Sequence, residues 1–220
     1  MGAVESLSLD IGKGSRSSHI AELVAENPMP SSVACIVIAG GKRTQLLDEK
    51  NLPSVLSQGF SETVVVGDYR HGDGYRYLHV PGLTNTTIDA LPKRDVGTLA
   101  TEADILVYLS DDHGLAPDFL ATLRTAAVEW DVVVPSRWCR GPMGEAIRLN
   151  MGATELVPYC GGHAGIFRRW VIQARPWSAM PHDRLWDLLA SQIQQNLGAR
   201  FVHVPQVAIE DLEPEREPWK

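Results

Sequence analysis

The stretch Ile105-Leu106-Val107-Tyr108-Leu109-Ser110-Asp111-Asp112-His113 joins an apolar run to two adjacent carboxylates and an imidazole. A short, continuous apolar run with polar residues directly after it is typical of a strand that is buried on both faces. The polar residues then lie in a loop at the carboxyl end of the strand. Proteins commonly hold Mg²⁺ or Mn²⁺ with one or two carboxylates and the phosphates of a substrate, so the stretch predicts a metal platform. A solvated turn is the alternative interpretation.

Apolar runs of strand length alternate with helical patterns on both sides of this stretch. Strands are predicted at residues 33–38, 63–66, 77–80, 104–109, 131–134, 164–167 and 201–204. Helices are predicted at residues 46–58, 96–103 and 184–196, and a further helix is predicted to begin at Pro117. This alternation predicts an α/β fold in which helices flank a mostly parallel central sheet. Ligands bind such sheets at the carboxyl ends of the strands, so the candidate site loops are Gly40-Gly41, Gly67-Asp68 and residues 110–113.

The length and the charge of the chain limit the function classes. Its 220 residues predict one domain at residues 31–212, with an appendage at 1–30 and an acidic tail at 213–220. The net charge of −7 disfavours a duplex-binding surface, so we expect no nucleic-acid partner. A nucleotide ligand is compatible with this charge, because a divalent cation neutralises its phosphates.

The sequence also bears on the location of the protein. The longest apolar stretch, residues 33–41, has nine residues and is too short to cross a bilayer. The first thirty residues contain acidic side chains and lack the apolar core of a signal peptide. The three cysteines form no Cys-x-x-Cys pair, which argues against a secreted disulfide framework. These features predict a cytoplasmic protein without a transmembrane segment, and they leave open whether it forms a homo-oligomer.

Several short motifs occur in a fixed order along the chain. They are Ser-Val-Leu-Ser-Gln at residues 54–58 before a strand that ends at Asp68, Lys-Arg-Asp-Val-Gly at 93–97, Ser-Asp-Asp at 110–112, a segment ending in Arg-Arg at 161–169, and residues 182–185 with 198–205. In order and spacing they resemble the nucleotide-sugar glycosyltransferases of the A-type fold, especially glycosyltransferase family 2. The resemblance covers roughly residues 33 to 212.

The resemblance implies a single-domain fold with a Rossmann-like nucleotide-binding half, and an inverting glycosyltransferase. Such an enzyme moves a sugar from a nucleoside-diphosphate donor, here expected to be UDP-linked, to an acceptor hydroxyl with Mn²⁺ or Mg²⁺. The resemblance implies that Asp112 binds the metal and that Asp183 is the catalytic base. Asp68 is expected to accept the imide hydrogen of uracil. The donor-binding residues implied in this way are Ala39, Gly40, Arg43, Asp68, Arg94, Ser110, Asp111 and His163.

The sequence departs from the family pattern and leaves alternatives open. Ser110 stands where the metal motif has its first aspartate, and Asp95 stands where the family has asparagine. Asp183 also occupies the place of an ordinary helix N-cap. Residues 38–43 and 50–53 resemble the glycine-rich signature of sugar-phosphate nucleotidyltransferases, in which backbone and lysines approach a triphosphate. The third interpretation is a catalytically degenerate module, which binds a nucleotide without catalysing a reaction.

Overall fold

The computed structural model describes residues 32–80, 87–125, 130–140, 146–149, 155–156, 164–180 and 186–212, all within the unit Ser32–Lys220. Ten strands of these residues form one sheet: β1 (Val33–Ala39), β2 (Glu62–Gly67), β3 (Arg76–His79), β4 (Ile105–Ser110), β5 (His113–Leu115), β6 (Val132–Arg140), β7 (Ala146–Leu149), β8 (Glu155–Leu156), β9 (Ala164–Arg168) and β10 (Phe201–Asp211). The predicted appendage and the acidic tail lie outside the described residues.

Five helices of the described residues flank the sheet. Helix α1 is continuous from Thr44 to Leu56, with α-helical ends Thr44–Leu46 and Leu52–Leu56 around a π-helical segment Leu47–Asn51. The others are α2 (Thr87–Leu99), α3 (Phe119–Thr125), α4 (Arg169–Ala174) and α5 (Trp186–Asn196), with a 3₁₀ turn at Trp177–Ala179. Pro53 has no N–H for the α-helical bond to residue 49, which accounts for the wider turn just before it.

The sheet has the order β3-β2-β1-β4-β9-β6-β10-β5, and β7 and β8 pair with β6 and β10. Strands β3, β2, β1 and β4 are parallel neighbours, and β6 is parallel to β10. Strand β9 lies antiparallel between β4 and β6, and β5 is antiparallel to β10. The predicted α/β fold with a mostly parallel sheet is confirmed.

Strand β1 is buried over its whole length and supplies alternate side chains to two hydrophobic layers. Cys35 and Val37 pack on the side of α1 and α3, whereas Ile36 and Ile38 pack on the side of α2, α4 and α5. Burial on both faces explains why the sequence of this strand is a continuous apolar run rather than an alternating one. The helix layers thereby hold the carboxyl ends of β1, β2 and β4 at one edge.

Several element boundaries differ from the sequence predictions. The predicted start of the helix at 96–103 is wrong. Helix α2 begins at Thr87 and contains Pro92 in its interior. The helix predicted to begin at Pro117 begins at Phe119. The strand predicted at 131–134 extends to Arg140, and β5, β7 and β8 were not predicted. None of the helices in the described ranges is both long enough and apolar enough to cross a membrane.

Candidate functional site

The carboxyl ends of β1, β2 and β4 meet at one edge of the sheet. Ala39 pairs with Gly67, and Ile38 pairs with Ser110. The N–H of Asp111 donates to the carbonyl of Ile38 at 3.2 Å, which extends the β1–β4 ladder into the loop. The predicted site loops therefore lie next to each other, as expected for ligand sites of parallel sheets.

Asp111 binds the loop that follows β1. Its Oδ2 accepts the N–H of Gly40 at 2.7 Å, and its Oδ1 accepts Nη1 of Arg43 at 3.2 Å. The side chain is 6% exposed. Burial raises the pKa of the Asp111 carboxyl, and the negative charge of Asp112 adds to this, while Gly40 and Arg43 oppose it. Asp111 therefore stabilises the loop after β1, and these contacts offset part of the unfavourable burial of its charge.

Arg43 lies against both carboxylates of the pair. Its Nη2 is 3.5 Å from Oδ2 of Asp112, in addition to the contact of Nη1 with Asp111. Asp112 also contacts Nδ1 of the buried His113 through Oδ1, at 2.7 Å. Oxygens of two carboxylates thus converge on a single cationic group.

The chemistry of these oxygens fits a hard divalent cation. Two carboxylates facing one position match the small protein contribution that Mg²⁺ and Mn²⁺ need when phosphates and water supply the other ligands. In the part of the chain that the structure describes, no group of three or more His, Cys, Asp or Glu side chains is placed to hold an ion. The residues therefore fit an ion shared with a phosphate-bearing ligand better than an ion held by protein alone.

Asn51 holds the carboxylate loop in place, a role that the sequence analysis missed. Its side chain is fully buried, and Nδ2 donates to the carbonyls of Ser110 and His113 at 3.1 and 2.5 Å. Asn51 ends the π-helical segment of α1. The sequence around Asn51 contains no pattern which indicates that its side chain bonds to the loop after β4.

A cavity of about 260 Å³ opens next to Gly41, in the loop whose neighbouring residue Gly40 binds Asp111. Its lining comes from the loop after β1, from α1 and from the end of β2: Gly41, Thr44, Asp48, Asp68, Tyr69 and Arg70. Asp68 is exposed to solvent in this cavity. Gly41 has φ +76°, and a Cβ there would lie 2.9 Å from Oδ2 of Asp68. The loop after β1 therefore approaches Asp68 closely only because residue 41 is glycine.

One wall of the cavity is a polar network around Asp48. The Tyr69 hydroxyl donates to Oδ1 of Asp48, and Nη2 of Arg70 contacts Oδ2 at 2.7 Å. Burial raises the pKa of Tyr69, and its hydrogen bond with Asp48 adds to this. The guanidinium of Arg70 lies 5.6 Å from the ring centroid of Tyr69. These contacts present the ring of Tyr69 and a cation to the same open space.

A buried lysine lies beneath the strand ends. Lys93 is 3% exposed and donates from Nζ to the carbonyl of Ala39 at 2.9 Å. Gly67 has φ +136°, and a Cβ there would lie 2.0 Å from the oxygen of Ala39 and 3.3 Å from Nζ of Lys93. The close approach of β1 and β2 at this edge therefore requires glycine. Lys93 belongs to the Lys-Arg-Asp-Val-Gly motif at 93–97, but the sequence does not indicate that its side chain is buried.

Comparisons with known proteins give likeness in structure only. No protein-family model matches the sequence, and no curated protein matches it. A mannosyltransferase from Pyrobaculum calidifontis in complex with GDP-Man and Mn²⁺ has a TM-score of 0.58 at 16% identity, over 91% of this chain and 65% of that one. TarS residues 1–349 from S. aureus with UDP-GlcNAc has a TM-score of 0.57 at 16% identity, over 81% and 58%. GalNAc-T7 with UDP, GalNAc and Mn²⁺ has a TM-score of 0.63 at 12% identity, over 84% and 44%.

The chain has the glycosyltransferase A-type fold. It spans less than two thirds of the length of each of these three chains. The predicted fold is thereby confirmed. Within it, the loops after β1, β2 and β4 bring together Gly40, Arg43, Asp68, Asp111 and Asp112.

Arg94 is buried against two aromatic rings of the core. It is 3% exposed, and its guanidinium stands 4.8 Å from the ring centroid of Trp177 and 5.5 Å from that of Tyr108. Arg94 does not line the described cavity, and its role in donor binding stays a prediction. Asp95 accepts the N–H groups of Trp177 and Ser178 at 2.8 Å each, so it caps the 3₁₀ turn.

Two predicted site residues, His163 and Asp183, lie outside the described residues. Trp177 is 2% exposed and packs edge-on against Tyr108 and Phe167. It belongs to the hydrophobic core. The roles of Ala39, Ser110 and the other donor-binding residues stay predictions, although their backbones border the described site.

Proposed function

We propose that this chain transfers a sugar from a nucleoside-diphosphate sugar to an acceptor hydroxyl. One observation carries the proposal: the loop after β1 contacts the Asp111–Asp112 pair through Gly40 and Arg43, and its Gly41 lines an open cavity together with Asp68. Arg43 offers a positive charge to phosphates, and the two carboxylates offer ligands to a metal ion. The polar cavity has a suitable size for a nucleotide base. The A-type fold, found in three glycosyltransferases bound to nucleotides or nucleotide sugars, supports the assignment.

The donor lies across the strand ends in this proposal. Its diphosphate faces Arg43 and the N–H groups of the loop after β1, while its base enters the cavity beside Asp68 and Tyr69. Asp68 selects uracil by accepting the imide N–H, so UDP-linked sugars are the proposed donors. Guanine offers a ring N–H as well, which makes GDP-linked sugars the competing donors to be measured.

Asp112 and Asp111 are the protein groups that would hold Mn²⁺ or Mg²⁺. Bound together with the diphosphate, such an ion supplies positive charge to the leaving group. Ser110 provides a neutral oxygen where the related motif has a carboxylate, so the ion depends more on the phosphates than in a motif with three acidic residues.

The proposed reaction is a single displacement with inversion. The acceptor oxygen forms a bond to the anomeric carbon as the bond from that carbon to the diphosphate oxygen breaks. The electron pair leaves with the nucleoside diphosphate, and the acceptor proton passes to a base, for which Asp183 is proposed from the resemblance. General-base assistance of this kind contributes typically 10²–10⁴-fold in rate.

Incubation with nucleotide sugars and sugar acceptors, followed by mass spectrometry, tests the proposal. Release of nucleoside diphosphate with a glycosylated acceptor is the expected result, and NMR of the product reports the anomer. Asp183→Asn in the same assay should fold normally and lose at least about 100-fold in turnover. Pyrophosphate release from nucleoside triphosphate would instead identify a nucleotidyltransferase, and binding without turnover would identify a degenerate module.

A further inference from the structure

We propose that Arg43 acts as an internal counter-ion which occupies the Asp111–Asp112 pair and keeps a divalent ion off these carboxylates until a donor diphosphate binds. This inference rests on the proposed function, since the diphosphate is what would draw Arg43 away. It assigns to Arg43 control over when the metal enters, in addition to phosphate binding.

The geometry places the guanidinium where an ion would have to bind. Nη1 is 3.2 Å from Oδ1 of Asp111, and Nη2 is 3.5 Å from Oδ2 of Asp112. An ion coordinated by the same two oxygens needs them within about 2.0–2.6 Å. The guanidinium and an ion that uses these same two oxygens therefore compete for them.

Charge favours the contact between Arg43 and the Asp111–Asp112 pair. The Asp111 and Asp112 side chains are 6% and 12% exposed, and they lie next to each other in the chain. Two adjacent, largely desolvated carboxylates repel each other, and a planar guanidinium satisfies one oxygen of each at once. An ion arriving alone must displace this contact and leave Arg43 without it.

A donor diphosphate changes that balance. Its oxygens offer Arg43 an alternative anionic partner, and they offer the ion further hard ligands. The Arg43 side chain is 21% exposed and lies at the start of α1, so it can turn toward a ligand without opening the core. Binding of the diphosphate and of the ion is then coupled through one side chain.

Titration of Mn²⁺ without any nucleotide, followed by the electron paramagnetic resonance signal of the free ion, tests the inference. Wild type should bind Mn²⁺ weakly, and Arg43→Gln should bind it at least about tenfold more tightly. Arg43→Gln/Asp112→Asn should lose that gain, which places the ion on the pair. Arg70→Gln is the matched control, because it removes a cation at the end of β2 that pairs with Asp48 instead of with the Asp111–Asp112 pair.

Equal affinity of wild type and Arg43→Gln for Mn²⁺, including the absence of binding in both, would overturn the inference. An equal gain in Arg70→Gln would overturn it as well, because it would show a general effect of net charge. Circular dichroism confirms that the variants are folded. The titration contains no donor, so its outcome is separate from the turnover assay that decides the proposed function.

Discussion

The backbone N–H of Gly40 donates to Oδ2 of Asp111 at 2.7 Å, and this bond joins the loop after β1 to the loop after β4. The two residues are 71 positions apart in sequence. Because Asp111 is buried, the bond fixes the position of the carboxylate pair relative to Arg43. The geometry of the site therefore depends on a contact between two loops rather than on either loop alone.

Replacing Asp111 by alanine or by asparagine should separate the hydrogen bond from the charge. Both variants remove the carboxylate, but only asparagine keeps an oxygen for the N–H of Gly40. We expect Asp111→Ala to be less stable than Asp111→Asn by about 1 kcal/mol in urea unfolding, because the partly buried N–H of Gly40 loses its acceptor. Equal stability of the two variants would show that the Gly40 bond contributes nothing.

Gly41→Ala and Gly59→Ala form a matched pair of tests for the cavity. Both glycines have positive φ, +76° and +74°, so both substitutions carry the backbone cost of about 1 kcal/mol. A Cβ at residue 41 also lies 2.9 Å from Asp68, whereas a Cβ at residue 59 meets nothing within 4 Å. Calorimetry should find weaker nucleotide binding only in Gly41→Ala; the same loss in Gly59→Ala would contradict this.

Asp68 is expected to select the base. Asp68→Ala removes the acceptor for the uracil imide and should weaken UDP binding about tenfold or more, with less effect on inorganic pyrophosphate. Asp73→Ala is the control, since Asp73 is an exposed acidic residue of the same region that does not line the cavity. Unchanged UDP affinity in Asp68→Ala would remove Asp68 from the site.

Tyr108 should give the protein a distinct alkaline response. Burial raises the pKa of its hydroxyl to about 12. Thr98 donates its hydroxyl to the carbonyl of Arg94 at 2.7 Å, so Tyr108 is the donor in its 2.6 Å contact with Thr98. Between pH 10 and 12 the unfolded chain releases this proton and the folded chain keeps it, so the free energy of unfolding falls as pH rises.

Tyr108→Phe tests that sign directly. At neutral pH the variant should be less stable by about 1 kcal/mol, because one buried hydrogen bond is lost. Above pH 10 the wild type should lose stability more steeply than the variant, by up to about 1.4 kcal/mol per pH unit. Parallel pH curves in denaturant titrations would mean that Tyr108 does not keep its proton in the folded state.

The sheet was predictable because its central strands are apolar on both faces. Residues 33–38 and 104–109 have the pattern of buried strands, so Gly40-Gly41 after the first and Asp111-Asp112 after the second were expected at one edge of the sheet. The start of α2 was missed because Pro92 in its interior reads as a helix break. Strand β5 was missed because His113–Leu115 is short and gains its partner only from β10, far along the chain.

The sequence predicted the carboxylates of the site, but it did not predict the buried side chains that support the loops. Asp111 and Asp112 follow the strongest strand signal in the chain, and Gly40-Gly41 follows another. The positions of Asn51 and Lys93 depend on tertiary contacts with β4 and β1, which no local pattern reveals. The predicted role of Arg94 in donor binding stays a prediction, and its position over the rings of Tyr108 and Trp177 could not be foreseen from its motif.

Thermal unfolding in the presence of UDP, GDP, CDP and dTDP, each with and without Mn²⁺, tests most directly whether the strand ends form a nucleoside-diphosphate site. A ligand at 100 times its dissociation constant stabilises the folded state by about 2.7 kcal/mol, which corresponds to about 5–10 °C for a domain of this size. We expect UDP with Mn²⁺ to give the largest increase in Tm, and inorganic phosphate to give none. No increase with any of the four nucleotides, at concentrations up to several millimolar, would contradict the account.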